Sequence, residues 1–524
     1  MIPALPILER ARLYAGLSGS SYNPRLLMTQ ICEPEIDAAA KESDLAQLEY
    51  NATVVHEWSH WFQHHSTSFG AFLSALRYSQ QMTTLRFFRE LPSVIARKLL
   101  ERRDSGAAPI LALDPVNQYP VFENDKDLDI FRQIWYDHQW VHTSLDDGLN
   151  LKRTGIPSPS VFGEIISDVM LSLCLDGNFV TRYRNDLENH VKDARRWYEF
   201  QGGITIVDFN GTWITSRLIM ETAATIAEMD LLPGTIWSRV LSEDGATYWN
   251  RRIRRLLDSD YGVPFRAFLA HVGHQPKELA ELLPTLSCIC FIALNPPLPP
   301  FQLGPPSNGL SFLWADINPP HRFMRLISKV KHAGFLRRYA SNDEFFDYLK
   351  KLTELSNLPT IIDGNYPDRS KGYGSIDFFD PNVQYNRSTP ASYHDYIFWV
   401  QHQLSNKRKD SLPLLVSLGQ CHSGDYIKKF GDILLPCATD LERVPYVRCP
   451  LHWTRNQKIG FTCRRDFGTW LVRQIALYEN LFDAIVGTKE YSLSMFPPDV
   501  ADDSILMNSV KAGLYRALAE IRNT

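Results

Sequence analysis

The sequence predicts a predominantly helical protein of the α+β class, with a small β element and a second, mixed but mostly helical domain towards its C-terminal end. Three observations point there. Long stretches rich in Ala, Glu and Leu, or with apolar residues at three-and-four spacing, cover much of the chain. Strand signals are few: one hairpin marked by Asn210-Gly211, and short apolar runs such as Leu414 to Leu418. A stiff, extended proline-rich segment, Asn295-Pro296-Pro297-Leu298-Pro299-Pro300 followed by Pro305-Pro306, divides residues 1–295 from residues 308–524.

Taken in order, residues 1–32 carry several Pro and Gly and are expected to be irregular, with an apolar patch at Arg25-Leu26-Leu27-Met28. A helical region opens after Pro34, and Asp44 is placed to cap a helix running through Leu45, Leu48, Val55 and His60 to about His64. His64 and His65 fall at its end, where an imidazole suits the helix dipole. A turn is expected at Ser66-Thr67-Ser68-Phe69-Gly70, then a helix over 71–103, a loop over 104–127 punctuated by Gly106, Pro109, Pro115 and Pro120, and a short aromatic helix from Asp129 to His142. Asn210-Gly211, between alternating β-formers from Ile204 to Ile214, is a strong hairpin signal, and its edge could accept an extended peptide. Thr215 or Ser216 can then cap a helix to about Leu231, stopped by Pro233-Gly234. Leu282 to Leu294 reads as apolar core, with Cys288 and Cys290 expected on opposite faces of a strand. Beyond the prolines, helices are expected at about 321–355, 391–408, 465–487 and 502–522.

Composition narrows the function classes. A formal net charge of −4 argues against a nucleic-acid binder led by electrostatics. The apolar run from Leu286 to Leu294 falls far short of the ~20 residues a bilayer span needs, so no membrane association is expected. Met1 to Pro6 has no basic n-region followed by an apolar run, and eight cysteines without regular spacing suit free thiols, so a cytoplasmic protein is expected.

The chemistry concentrates in Thr53-Val54-Val55-His56-Glu57-Trp58-Ser59-His60-Trp61-Phe62-Gln63. Two histidines four apart lie on one helix face, so both imidazoles can meet one ion, and Glu57 stands about 100° round the helix from His56, beside the ion. With 15 His in 524 residues, chance places His-Glu-x-x-His roughly 0.05 times in such a chain. The flanks sharpen the signal: Thr53, Val54, Trp58, Ser59, Trp61 and Phe62 are uncharged, as a helix buried on most sides requires.

The segment resembles the extended signature of the zincin metallopeptidases, and its His-Glu-aromatic-x-His-aromatic-x-Gln outline resembles an uncharacterised bacterial group. The resemblance implies a zincin-like helical core, Zn2+ as cofactor with His56 and His60 as ligands, Glu57 as general base and a peptide or protein as substrate. In the gluzincin type, a Glu on a later helix supplies the third ligand. Glu221, in Glu221-Thr222-Ala223-Ala224, is similar to the Glu-x-x-Ala arrangement of several zincin families. Glu164, in Glu164-Ile165-Ile166-Ser167-Asp168, looks like the Glu-x-x-Ser-Asp segment of thermolysin-like peptidases, where the Asp orients a zinc-bound His. Glu221 is the expected ligand; Glu164 or Glu228 stands as the alternative, with Asp168 as a supporting carboxylate. His64 is excluded, since eight residues place it about 12 Å along the axis from His56.

The expected activity is zinc-dependent hydrolysis of peptide bonds, with His142 and Tyr373 as candidates to steady the oxyanion. The alternative is a catalytically silent zinc scaffold whose C-terminal half binds partners. Other patterns carry less: Cys437, Cys449, His452 and Cys463 lack two tight pairs for a structural zinc, Cys421-His422 has no readable nucleophile geometry, Gly372-Tyr373-Gly374 is a loop, and Lys407-Arg408-Lys409 is a solvated helix end.

Overall fold

The histidine-bearing stretch forms a helix described from Asp44 to Ser66. The computed structural model describes residues 21–24, 28–31, 44–90, 111–113, 120–122, 137–138, 141–142, 144–146, 164–166, 169, 207–239, 243–274, 279–298, 314–337, 341–358, 393–406, 416–417 and 437–440. In chain order its first elements are β1 (Ser21–Asn23), β2 (Met28–Ile31), α1 (Asp44–Ser66), α2 (Ser68–Glu90), β3 (Leu111–Leu113) and β4 (Pro120–Phe122). Then come β5 (Val207–Phe209), β6 (Thr212–Ile214), α3 (Ser216–Arg239), α4 (Glu243–Asp258), α5 (Val263–Val272) and α6 (Leu279–Ala293). The series ends with α7 (Trp314–Ile317), α8 (Pro319–Ile327), α9 (Val330–Ala333), α10 (Asn342–Ser356), α11 (Tyr393–Asn406) and β7 (Cys437–Asp440). Helices dominate, as expected.

The β content is larger than the sequence suggested. Residues expected to be irregular hold β1 and β2, which pair antiparallel, and β7 joins β2 in parallel, Met28 opposite Cys437. A partner that distant leaves no local trace. The loop expected over 104–127 contains the β3–β4 pair; Pro120 opens β4, where its missing N–H costs little. The predicted hairpin is present: β5 and β6 pair antiparallel, and Asn210 (φ 51°) and Gly211 (φ 79°) both take the left-handed conformation that a two-residue type I′ turn demands.

Helix ends depart most. α3 continues to Arg239 through Pro233-Gly234, where the sequence predicted a stop. The stretch expected as one helix over 321–355 divides into α8, α9 and α10. Gly334 follows α9 at φ 84°, and Ser341 caps α10 by accepting a hydrogen bond from the Glu344 N–H at 3.2 Å. Val416, in the strand expected at 414–418, is helical. Cys288 and Cys290 sit on α6 rather than a strand, and burial pushes both thiols up, leaving them inert. The helices expected at 465–487 and 502–522 lie outside the described residues, as do Cys421, Cys449, His452, Cys463 and the 407–409 run.

α6 is the centre of the core. Every residue from Leu282 to Ala293 is buried, as befits a helix apolar on all sides. Around it one buried cluster takes in Phe72 and Leu76 of α2, Ile219 and Ile226 of α3 and Phe268 of α5, and runs past the proline-rich segment to Phe323, Leu349 and Val416. The fully buried Arg322 guanidinium donates to Ile292 O at 2.8 Å, satisfying a carbonyl at the C-terminal end of α6. Asn295 serves two helices: its amide donates to Phe291 O (2.8 Å), and its carbonyl accepts from the Ser68 N–H (3.2 Å) at the start of α2. α1 and α2 are separated by Thr67 alone, whose hydroxyl accepts from the Gly70 N–H at 3.0 Å, and not by the turn expected over 66–70.

The tight junction has a steric requirement. A Cβ on Gly70 would stand 2.1 Å from Gln63 O and 2.6 Å from His64 Cα, both backbone atoms. Gly70→Ala is therefore expected to destabilise the fold by about 1–3 kcal/mol, through forced separation of α1 from α2; urea unfolding measures it, and an unchanged midpoint would refute the close approach.

His64 and His65 fall in the last turn of α1, as predicted, but not as charged groups complementing the dipole. Both are buried, and burial lowers both. His65 stacks on Trp61 with centroids 4.8 Å apart, donates from Nδ1 to Trp61 O at 2.8 Å, and is pushed down to about 4, burial outweighing that hydrogen bond. Below pH 6.5 the unfolded chain takes up a proton that the folded imidazole refuses. Stability thus falls as pH drops from 6.5 towards 4, by up to about 3 kcal/mol from this residue. Unfolding titrations at pH 7 and 4.5 should show a smaller acid loss for His65→Phe than for the wild type.

Candidate metal centre

α1 and α3 pack along one another, and their facing sides bring together residues that are far apart in sequence. From Ser59 onward every residue of α1 is buried, in keeping with the uncharged flanks of the motif. His56 and His60, one turn apart, project towards Glu221 in the second turn of α3. His60 Nε2 lies 3.3 Å from His56 Nε2 and 3.2 Å from Glu221 Oε2; His56 Nε2 lies 3.3 Å from the same oxygen. Three atoms thus form a nearly equilateral triangle. Ligands held at 2.0–2.1 Å around a tetrahedral zinc stand roughly 3.3–3.4 Å from one another, so the triangle has the size of one face of such a site. Among the described residues this is the one group of three His, Cys, Asp or Glu side chains that could hold a metal ion.

The groups behind the histidines decide which atoms face inward. Met220 O can only accept, so the Gln63 amide nitrogen must be the atom donating to it at 2.8 Å. Gln63 Oε1 is then left to accept from His60 Nδ1 at 3.1 Å, which places the proton on Nδ1 and the lone pair of Nε2 in the triangle. His56 Nδ1 faces Glu228 Oε2 at 3.1 Å, and a carboxylate imposes the same tautomer. The other Glu228 oxygen is paired with Arg252 of α4. Three electron-rich atoms within 3.3 Å of one another repel unless a metal ion or shared protons lie between them. The donor set, two imidazole nitrogens and one carboxylate oxygen, is one that zinc accepts, and it leaves a fourth position open.

Without an ion, a proton can bridge the same atoms, and a metal would have to displace it. Burial acts against a charged His56, but the hydrogen bond to Glu221 and the charges of Glu57 and Glu221 outweigh it and hold the imidazole above its ordinary value. Burial acts against the Glu221 carboxylate too, and His60 and His56 together depress it far below the carboxylate range. Glu57 is itself buried, close enough for its charge to be felt at His56.

The expected residues thus divide. His56, His60 and Glu221 converge with Glu57 beside them. Glu164 is exposed and takes no part in the group. Asp168 and Tyr373 lie outside the described residues. His142 is half-buried near Asp146, whose carboxylate is bound by Arg217, one turn before Glu221. Glu228, an alternative third ligand in the sequence reading, instead backs His56. Gln63 and Arg252 carried no predicted role. Gln63, three residues after His60, sits on the same helix face, and that spacing was the available signal; nothing local pointed to Arg252. The chain matches no family model, no curated protein and no solved structure, so its chemistry has to be read from these three donor atoms and the groups behind them.

Proposed function

We propose that the chain is a zinc-dependent hydrolase that cleaves peptide bonds, with the α1–α3 pair as the helical core of a gluzincin-type metallopeptidase. One observation carries the reading: two lone-pair-bearing imidazole nitrogens and a carboxylate oxygen at 3.2–3.3 Å from one another, with a buried glutamate beside them. Zinc held there would act as a Lewis acid, acidifying water and polarising a carbonyl. Glu57 takes the proton from the attacking water and returns it to the departing amine, the work of a single carboxylate that alternates as base and acid. Gln63 and Glu228 keep both imidazoles from rotating during this exchange. His56, its side chain 18% exposed against 11% for His60 and 10% for Glu221, lies on the side from which solvent and substrate arrive.

The test is direct. Zinc-loaded protein is incubated with a mixed-sequence peptide library, with and without a chelator, and products are read by mass spectrometry. Cleavage that the chelator stops and zinc restores is the expected result. Stoichiometric zinc with no cleavage of any peptide would instead identify a silent metal-binding scaffold.

A further inference from the structure

His60 is secured within its own helix by Gln63, whereas His56 relies on a group from another helix, and that group relies on a third. We propose that Glu228 and Arg252 form a positioning pair through which α4 sets the affinity of the metal centre, although neither residue touches the ion. The inference rests on the metal reading of His56, His60 and Glu221.

Glu228 follows Glu221 by seven residues, two turns on, so α3 presents the ligand and the support for its neighbour on one face. Glu228 Oε2 accepts from His56 Nδ1 at 3.1 Å, and Oε1 is bound by the Arg252 guanidinium. With both oxygens committed, a side chain with three rotatable bonds loses its freedom to swing. Released by Arg252, Glu228 would turn to solvent and leave His56, the most exposed of the three donor side chains, free to rotate. Charge supports the pairing. Glu57 and Glu221 already place two carboxylates at the site, and Arg252 offsets the third that Glu228 introduces. Its neighbours Arg251, Arg254 and Arg255 on α4 face outward and are exposed, so Arg252 alone of the four is turned towards the centre.

Zinc affinity, measured by chelator competition, separates this role from that of a simple strut between α3 and α4. Glu228→Ala is expected to weaken zinc binding about 10- to 100-fold, the range typical of outer-shell partners of a ligating histidine. Arg252→Ala should weaken it in the same direction, and the double variant should bind no more weakly than Glu228→Ala, because Arg252 positions His56 through Glu228 and its direct charge effect on the site would, if anything, oppose a cation. Arg252→Lys should recover most of the loss. Glu228→Gln preserves the packing, yet its single oxygen can serve His56 or Arg252 but not both; its cobalt-loaded form should show a shifted visible absorption. Zinc affinities within about twofold of wild type across these variants, whatever happens to the melting of the metal-free protein, would reduce the pair to a strut and overturn the proposal. Failure of the wild-type protein to take up any zinc would sink the metal reading itself, and this assignment with it.

Discussion

Glu221→Ala is expected to strip the protein of zinc while Glu164→Ala leaves it fully loaded. Glu221 Oε2 supplies one corner of the donor triangle, within 3.3 Å of both Nε2 atoms, and brings the only formal negative charge among the three. Removing it leaves two imidazoles from one helical turn, a grip available to many surface histidine pairs. If the ligands share the binding free energy of a structural-strength zinc site about equally, the loss is about 3–5 kcal/mol, or roughly 10²- to 10⁴-fold in affinity. Glu164 stands exposed and outside the group, so its truncation is a control for general damage. Elemental analysis after dialysis reads the difference. Full zinc in Glu221→Ala would show that the third donor lies elsewhere and that the α1–α3 contact merely pairs a carboxylate with two imidazoles.

Glu57→Gln should keep the zinc and lose the turnover. Glutamine fills the same volume, so the buried position beside His56 stays packed, but an amide can neither take a proton from water nor hand one to a leaving amine. General acid–base groups contribute typically 10²–10⁴-fold, and kcat should fall by about that factor with little change in KM, since Glu57 is assigned to proton transfer and not to holding substrate. A variant that still cleaves at the wild-type rate would remove Glu57 from the mechanism even if the metal site stands. Together the two variants separate what holds the ion from what uses it.

Much of this centre was legible in the residues themselves. His56, Glu57 and His60 are related by helical spacing, a property of the backbone alone, so the shared face of the two histidines and the offset of Glu57 could be stated without knowing what lay opposite. The Asn210-Gly211 turn was legible for a similar reason: a left-handed φ is set by the residues of the turn itself. Glu221 was singled out by its resemblance to the Glu-x-x-Ala arrangement of several zincin families, but the sequence left Glu164 and Glu228 in competition with it.

Only the tertiary structure shows which of them meets both histidines, because that depends on which helix faces are buried against each other. The same limit hid β7 beside β2, Asn295 at the head of α2, and Arg252 behind Glu228. Each is a contact between groups separated by long stretches of chain, and the energy that selects it comes from burial and charge pairing in the folded state. Periodicity and spacing, which act over one or two turns, determined where the two histidines point; the packing of α3 on α1 determined what they point at.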